Sequence, residues 1–296
     1  PDIQAMSSEN FGLRRMAKPL KIFWLGEQAN LCVFLMRNKV MIKVEKVGTT
    51  ANILFNNPKK RNALTLKAWE EISDAVMAFN RDEHLRCIVF KGIGDEAFAS
   101  GADISEFPYI RKDSRQGIAY GKKTAKALKL IMESLHPTVA IIQGACTGGG
   151  LEIAACCDIR IAATSARFGV PINRIGHAFS PYEMEPLLKL VGRGTVLEML
   201  LEGRMYSAEE ALQKGLVSSV FPSDTLIEES EEIVLRISRG APQSVRVTKW
   251  VANLLCSGEQ ITNEHINRVY GPCDSDDYKE GVRAFLAKEH PNFTGK

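Results

Sequence analysis

Apolar and polar positions switch between two periods along the chain, and the switches lay out its elements. Met41–Val47 and Thr50–Phe55 are short apolar-bearing runs on either side of Gly48, which predicts a hairpin, and Asn56-Asn57-Pro58 supplies the turn that ends it. From Thr65 to Asn80 the period changes. Trp69, Ile72, Val76 and Phe79 fall at helical spacing on one face, so a helix is predicted there. Cys87–Phe90 is an unbroken apolar run of strand length, closed by Lys91-Gly92. A helix is predicted over Gln116–Leu135, stopping before Pro137 because a residue preceding proline is pushed out of helical geometry. Val139–Gln143 reads as a buried strand, Gly148-Gly149-Gly150 opens a helix running through Ala155, and Ile159–Ala163 is a further strand. Ser207 and Glu210 have the spacing of a capping box, and Gly215 ends that helix. From Thr225 the pattern is helical to the end, with breaks near Gly240-Ala241-Pro242 and Gly271-Pro272.

Strands alternating with helices predict an α/β core over 41–224, and the strand-poor remainder predicts an appended helical region over 225–296. Residues 1–40 stand apart by charge. They hold six basic side chains (Arg14, Arg15, Lys18, Lys21, Arg37, Lys39) against Asp2, Glu9 and Glu27. Without an amphipathic repeat, this segment is read as an N-terminal extension ahead of Met41 rather than as a transit peptide.

The rest of the chain is electrically balanced, with 32 basic residues (38 less six) and 32 acidic ones (35 less three). A nucleic-acid binder carries a basic surplus in its folded part, so nucleic acid is not expected as a partner. The seven cysteines are irregularly spaced with no CxxC pair, which predicts free thiols in a reducing, cytoplasmic setting, with no structural metal. Ile22–Leu25 and Leu31–Met36 are apolar but are split by Gly26, Glu27, Gln28 and Asn30, so no membrane span is expected.

Candidate chemistry gathers at two glycine-bearing turns. Phe98–Ile104 (FASGADI) follows a strand and loop, and Gly144–Glu152 (GACTGGGLE) joins a buried strand to a helix. Small residues let a ligand approach the backbone, and the first N–H groups of a helix have no intrahelical partner and favour negative charge. Two such turns suggest a pair of donors converging on one developing oxyanion. Glycines used only for close helix–strand packing are the alternative. A dinucleotide fingerprint, a P-loop and a G-x-S-x-G elbow are excluded by spacing.

Phe98–Phe107 (FASGADISEF) and Gln143–Ala163 (QGACTGGGLEIAACCDIRIAA) resemble the two signature segments of the crotonase (enoyl-CoA hydratase/isomerase) superfamily. Asn57–Leu64 (NPKKRNAL) is similar to its substrate-side turn, and Arg167–Gly176, Leu201–Val217 and Glu280–Phe293 match later blocks in order and spacing. The resemblance runs from about Met41 to the C-terminus. It implies a spiral of ββα units with a C-terminal helical trimerisation region, and a homotrimer or homohexamer. It also implies an acyl-CoA thioester as substrate, with no cofactor beyond the coenzyme A that the substrate carries. By the same resemblance the backbone N–H groups of Ala102 and Gly149 form the oxyanion hole. Arg61, Ala63, Ser100, Ala102, Asp103, Ile104, Ser105, Gly148 and Gly149 line the acyl-CoA site, and Phe285 and Lys288 contact the nucleotide.

Hydratases of that family use two glutamates. Glu152 matches the first, inside the apolar run Leu151–Cys157, where a charge needs a reason to be. The second family glutamate follows a proline, and here Pro171 is followed by Ile172, which cannot move a proton. His177, Tyr182, Glu183 and Glu185 are candidate replacements, with His177 and Ile172 placed at the substrate. The expectation is therefore hydration of trans-2-enoyl-CoA to 3-hydroxyacyl-CoA. Isomerisation, decarboxylation, thioester hydrolysis, or catalytically weak acyl-CoA binding remain as alternatives.

Overall fold

The computed structural model describes residues 40–296. The basic segment read as an extension, with Cys32 and the two short apolar runs within it, lies outside the described residues apart from Val40. The chain opens with the expected hairpin, β1 (Ile42–Val47) antiparallel to β2 (Thr50–Phe55), and then helix α1 (Leu66–Phe79). Thr65 caps that helix by accepting the N–H of Ala68 at 3.2 Å, and Trp69, Ile72 and Val76 are buried as the period required.

A unit of two strands and a helix then recurs. β3 (Cys87–Gly92) and β4 (Ala97–Ala99) lead through the short α2 (Phe107–Ile110) to α3 (Ser114–Met132). β5 (Thr138–Ile142) and β6 (Ala145–Thr147) lead to α4 (Gly149–Cys156). β7 (Ile159–Ala163) and β8 (Arg167–Gly169) lead to α5 (Pro181–Glu202), which kinks at Gly192. The first strand of each unit joins one sheet and the second joins another. With β9 (Tyr206–Ser207), α6 (Ala208–Gln213) and β10 (Ser219–Phe221) the sheets have the orders β1-β2-β3-β5-β7-β10 and β4-β6-β8-β9. All pairings are parallel except β1 with β2 and β8 with β9. This is the α/β core that the alternation predicted, arranged as the spiral of ββα units that the resemblance implied. The helical remainder is α7 (Leu226–Ser238), α8 (Pro242–Ser257), α9 (Asn263–Tyr270) and α10 (Asp276–Ala287). Among the described residues no helix is long and apolar enough to cross a membrane.

Two boundaries and one sheet differ from the sequence expectation. α3 ends at Met132, short of Leu135, because Asn80 Oδ1 takes the Leu135 N–H at 3.0 Å and the Ser134 hydroxyl at 3.1 Å, holding that segment in a turn. A further break separates α8 from α9 at Gly258, whose φ of +73° ends the helix. The strands of the second sheet were not anticipated. They are two or three residues long, too short to show any period.

Candidate active site

The second sheet positions the two glycine turns. β4 and β6 are hydrogen-bonded neighbours running in the same direction, so the turns that leave their C-terminal ends lie side by side. Gly101, with φ +96°, and Gly148, with φ +49°, make the two bends, and each faces the other. A Cβ on Gly101 would stand 3.7 Å from the Gly149 nitrogen, and one on Gly148 would stand 3.5 Å from the Gly101 Cα. The first turn is also tied to the loop before α1: Leu64 donates to Gly101 O at 2.8 Å and Asp103 donates to Leu64 O at 2.8 Å. That pairing skips Ala102, whose own N–H makes no hydrogen bond among the described residues. Gly149 is the first residue of α4, and its N–H likewise makes none. Two unengaged donors on adjacent turns are the arrangement that an oxyanion needs.

One turn into α4 sits Glu152, 7% exposed, with neither carboxylate oxygen hydrogen-bonded among the described residues. Burial raises its carboxyl well above the ordinary glutamate range. The nearby charge of Glu183 raises it further, and Arg111 works against both. Glu183 lies in the first turn of α5, which packs on α4. It is 7% exposed, and its Oε2 accepts the Ser180 N–H at 2.8 Å.

The substrate-side turn is anchored by Asn62, which holds a left-handed φ of +56°. Its side chain accepts from Asn57 N at 3.0 Å and donates to Ala97 O at 2.7 Å and Ile93 O at 3.1 Å, stitching the turn to the start of β4. Asp103 is held by Lys60 Nζ at 2.8 Å and the Ser105 hydroxyl at 2.6 Å. Burial pushes its carboxyl up, but these bonds outweigh that and keep it below the usual aspartate value.

A family model described as enoyl-CoA hydratase/isomerase matches residues 45–296. The chain belongs to the enoyl-CoA hydratase/isomerase family. It is 34% identical over 260 residues to the crotonyl-CoA hydratase of Syntrophomonas wolfei, covering 86% of this chain and 98% of that protein. It is 31% identical over 249 residues to the short-chain-enoyl-CoA hydratase of Clostridium acetobutylicum, covering 83% and 94%. The crystal structure of an enoyl-CoA hydratase/carnithine racemase from Magnetospirillum magneticum superposes with a TM-score of 0.85 at 36% identity, covering 88% of this chain and 97% of that one.

Within this family frame the remaining candidates separate. Ala63 is buried beside the turns, while Ile104 and Ser105 are exposed. Ser100 is half-buried, and its hydroxyl donates to Lys60 O at 3.2 Å. Arg61 is exposed, in a left-handed turn, 3.6 Å from the equally exposed Glu96. Phe285 and Lys288 are on and just after α10. Phe285 is 83% exposed and lines an apolar cavity of about 820 Å³ between α8, α9 and α10, whose lining includes none of the turn residues.

Of the four residues weighed as substitutes for the missing glutamate, only Glu183 is buried. Tyr182 is 65% exposed, Glu185 is ion-paired with Lys189 at 2.8 Å, and His177 is exposed with its Nε2 against Arg111. Ile172 is half-buried and packs on the core. Two groups escaped the sequence reading. Trp69 lies under Gly149 and donates from Nε1 to the Tyr120 hydroxyl at 3.0 Å. Arg111 lies against the rings of Phe107 and Tyr120, 4.5 and 4.6 Å from their centres. The four-residue spacing of Phe107 and Arg111 was the available signal for the second.

Proposed function

We propose that this chain hydrates trans-2-enoyl-CoA thioesters. The supporting observation is the pair of unengaged N–H groups on adjacent turns with a buried, unpaired carboxylate one helical turn away. The thioester oxygen sits between the Ala102 and Gly149 amides. Glu152 takes a proton from water as the water oxygen bonds to the β-carbon. The carbon–carbon π pair moves to the α-carbon and thioester oxygen, giving an enolate that the two amides hold. Glu152 then gives the proton it took to the α-carbon, which completes 3-hydroxyacyl-CoA and restores the carboxylate. Where relatives carry the second glutamate, this chain carries Ile172, and Glu183 from the next helix takes its place in orienting the water. No cofactor is required beyond the coenzyme A of the substrate.

The relatives named as crotonyl-CoA and short-chain-enoyl-CoA hydratases support a short acyl chain. Crotonyl-CoA, followed by loss of the conjugated thioester absorbance and by chromatography of the product, is the direct test. Replacing Glu152 with Gln should lower kcat by roughly 10²–10⁴, the range of a general acid–base group. Tight binding without turnover of crotonyl-CoA would leave the acyl-CoA-binder reading, and a shifted double bond or free CoA in the product would leave isomerase or thioesterase. We also propose assembly as a trimer or hexamer through the α8–α10 region, supported by the exposed Phe285 and Leu286 at the apolar cavity. The free thiols among the described residues support a cytoplasmic location.

A further inference from the structure

Arg111 is a cation whose charge reaches the buried Glu152 carboxyl, and the hydration steps above assign it no contact with the substrate. It is half-buried directly after α2, with its guanidinium against the Phe107 and Tyr120 rings. Its charge reaches Glu152, Tyr120 and His177. A counter-ion for Glu152 would close on it as a bidentate pair, the strongest geometry open to an arginine and a carboxylate. Among the described residues Arg111 forms no ion pair with any carboxylate, and Glu152 stays unpaired. Its side chain instead hydrogen-bonds His177 Nε2. That acceptor is replaceable, because His177 is largely exposed; partial burial of its ring and the Arg111 charge lower its pKa.

Stacking on two rings holds a guanidinium plane still and leaves its N–H edges for a planar acceptor. Ile110, next to Arg111 in the chain, and Ile172, Phe179 and Met184 are partly buried and pack on the core. A carboxylate that arrives with the substrate would give this guanidinium a charge-assisted pair in place of its bond to the imidazole.

We propose that Arg111 binds a carboxylate on the acyl group, so that the preferred substrates are enoyl-CoA thioesters of dicarboxylic acids, in which a carboxylate displaces His177 from the Arg111 edge. This rests on the reading of the Glu152 site as the acyl site. It goes further in naming the acyl group's chemistry.

Binding isotherms for glutaryl-CoA and butyryl-CoA, which differ by the terminal carboxylate and cannot be hydrated, separate the two claims. The intact protein should bind glutaryl-CoA at least roughly tenfold more tightly, the worth of one charge-assisted pair. The ratio should fall to about one in Arg111→Gln and be intermediate in Arg111→Lys, which keeps the charge and loses the fork. Each variant is first checked by its unfolding transition. Equal affinity for both thioesters in the intact protein would overturn the carboxylate assignment alone. So would a preference that survives Arg111→Gln. Failure to bind either thioester would sink the acyl-CoA reading beneath it. Glutaryl-CoA preference in a protein that does not hydrate crotonyl-CoA or glutaconyl-CoA would uphold Arg111 and refute the hydratase.

Discussion

Gly149→Ala tests whether the enolate is held where the turns place it. A Cβ at this position would lie 2.8 Å from Trp69 Cζ2 and 3.4 Å from Leu64 Cδ1, where ordinary contact begins near 3.4 Å. The start of α4 or the indole must therefore give by about 0.6 Å. Trp69 is 1% exposed and is pinned by its bond to Tyr120, so most of the shift falls on the helix start and its N–H. A donor must stand 2.7–3.1 Å from the oxyanion to act, and losing one costs about 10²–10³ in kcat. Overpacking of this size costs ~1–3 kcal/mol of stability. The predicted variant is folded, melts a few degrees lower and hydrates crotonyl-CoA about 10²–10³ more slowly. Trp69→Phe removes the clashing atom, so in that background the same Gly149→Ala change should cost far less. Steady-state rates for the four proteins of this double-mutant cycle supply the coupling. An equal penalty in both backgrounds, or unchanged kcat in the single variant, would refute the placement of the Gly149 donor.

Three further outcomes follow from the same site. Burial and Glu183 raise the Glu152 carboxyl in the folded protein, so the folded state resists ionisation and loses stability as pH rises from the unfolded value toward the raised one. Glu152→Gln should therefore melt with the parent near pH ~4 and above it near pH ~8, and a variant that melts lower at both would contradict the burial argument. Glu183→Gln keeps an acceptor for the Ser180 N–H but removes a like charge, so the acid limb of kcat against pH should move to lower pH; a limb that stays in place would show that the two carboxylates do not share the site. Asn62→Ala removes the side-chain bonds from the Asn57 N–H and to the Ala97 carbonyl and puts alanine at φ +56°, a loss of roughly 2–4 kcal/mol in chemical denaturation, of which Asn62→Gly should recover only the backbone share.

What the sequence disclosed was local. Each glycine turn is a run of a few residues, with Glu152 just past the second, so each could be read within its own segment, and the α1 face was written in a regular period. The replacement for the lost glutamate was not decidable in this way. Tyr182, Glu183 and Glu185 are near neighbours, and which of them turns inward depends on where Pro181 starts α5. Arg111 was hidden for a different reason. In Arg111-Lys112-Asp113 it reads as one charge in a solvated run, and only the fold brings Tyr120 and His177 to its side chain. The small second sheet left no trace in the pattern, although it aligns both donors.

That sheet has an evolutionary consequence. The two amides sit on turns that leave neighbouring strands, so their placement rests on the pairing of β4 with β6 and on the bends at Gly101 and Gly148. Other loops can lengthen, and residues 171–185 can be redrawn, without changing that placement. The carbanion-stabilising half of the chemistry is therefore insulated from the half that moves protons. On the proposed reading, a lineage built on this step can exchange its acids and trial new reactions while keeping the enolate.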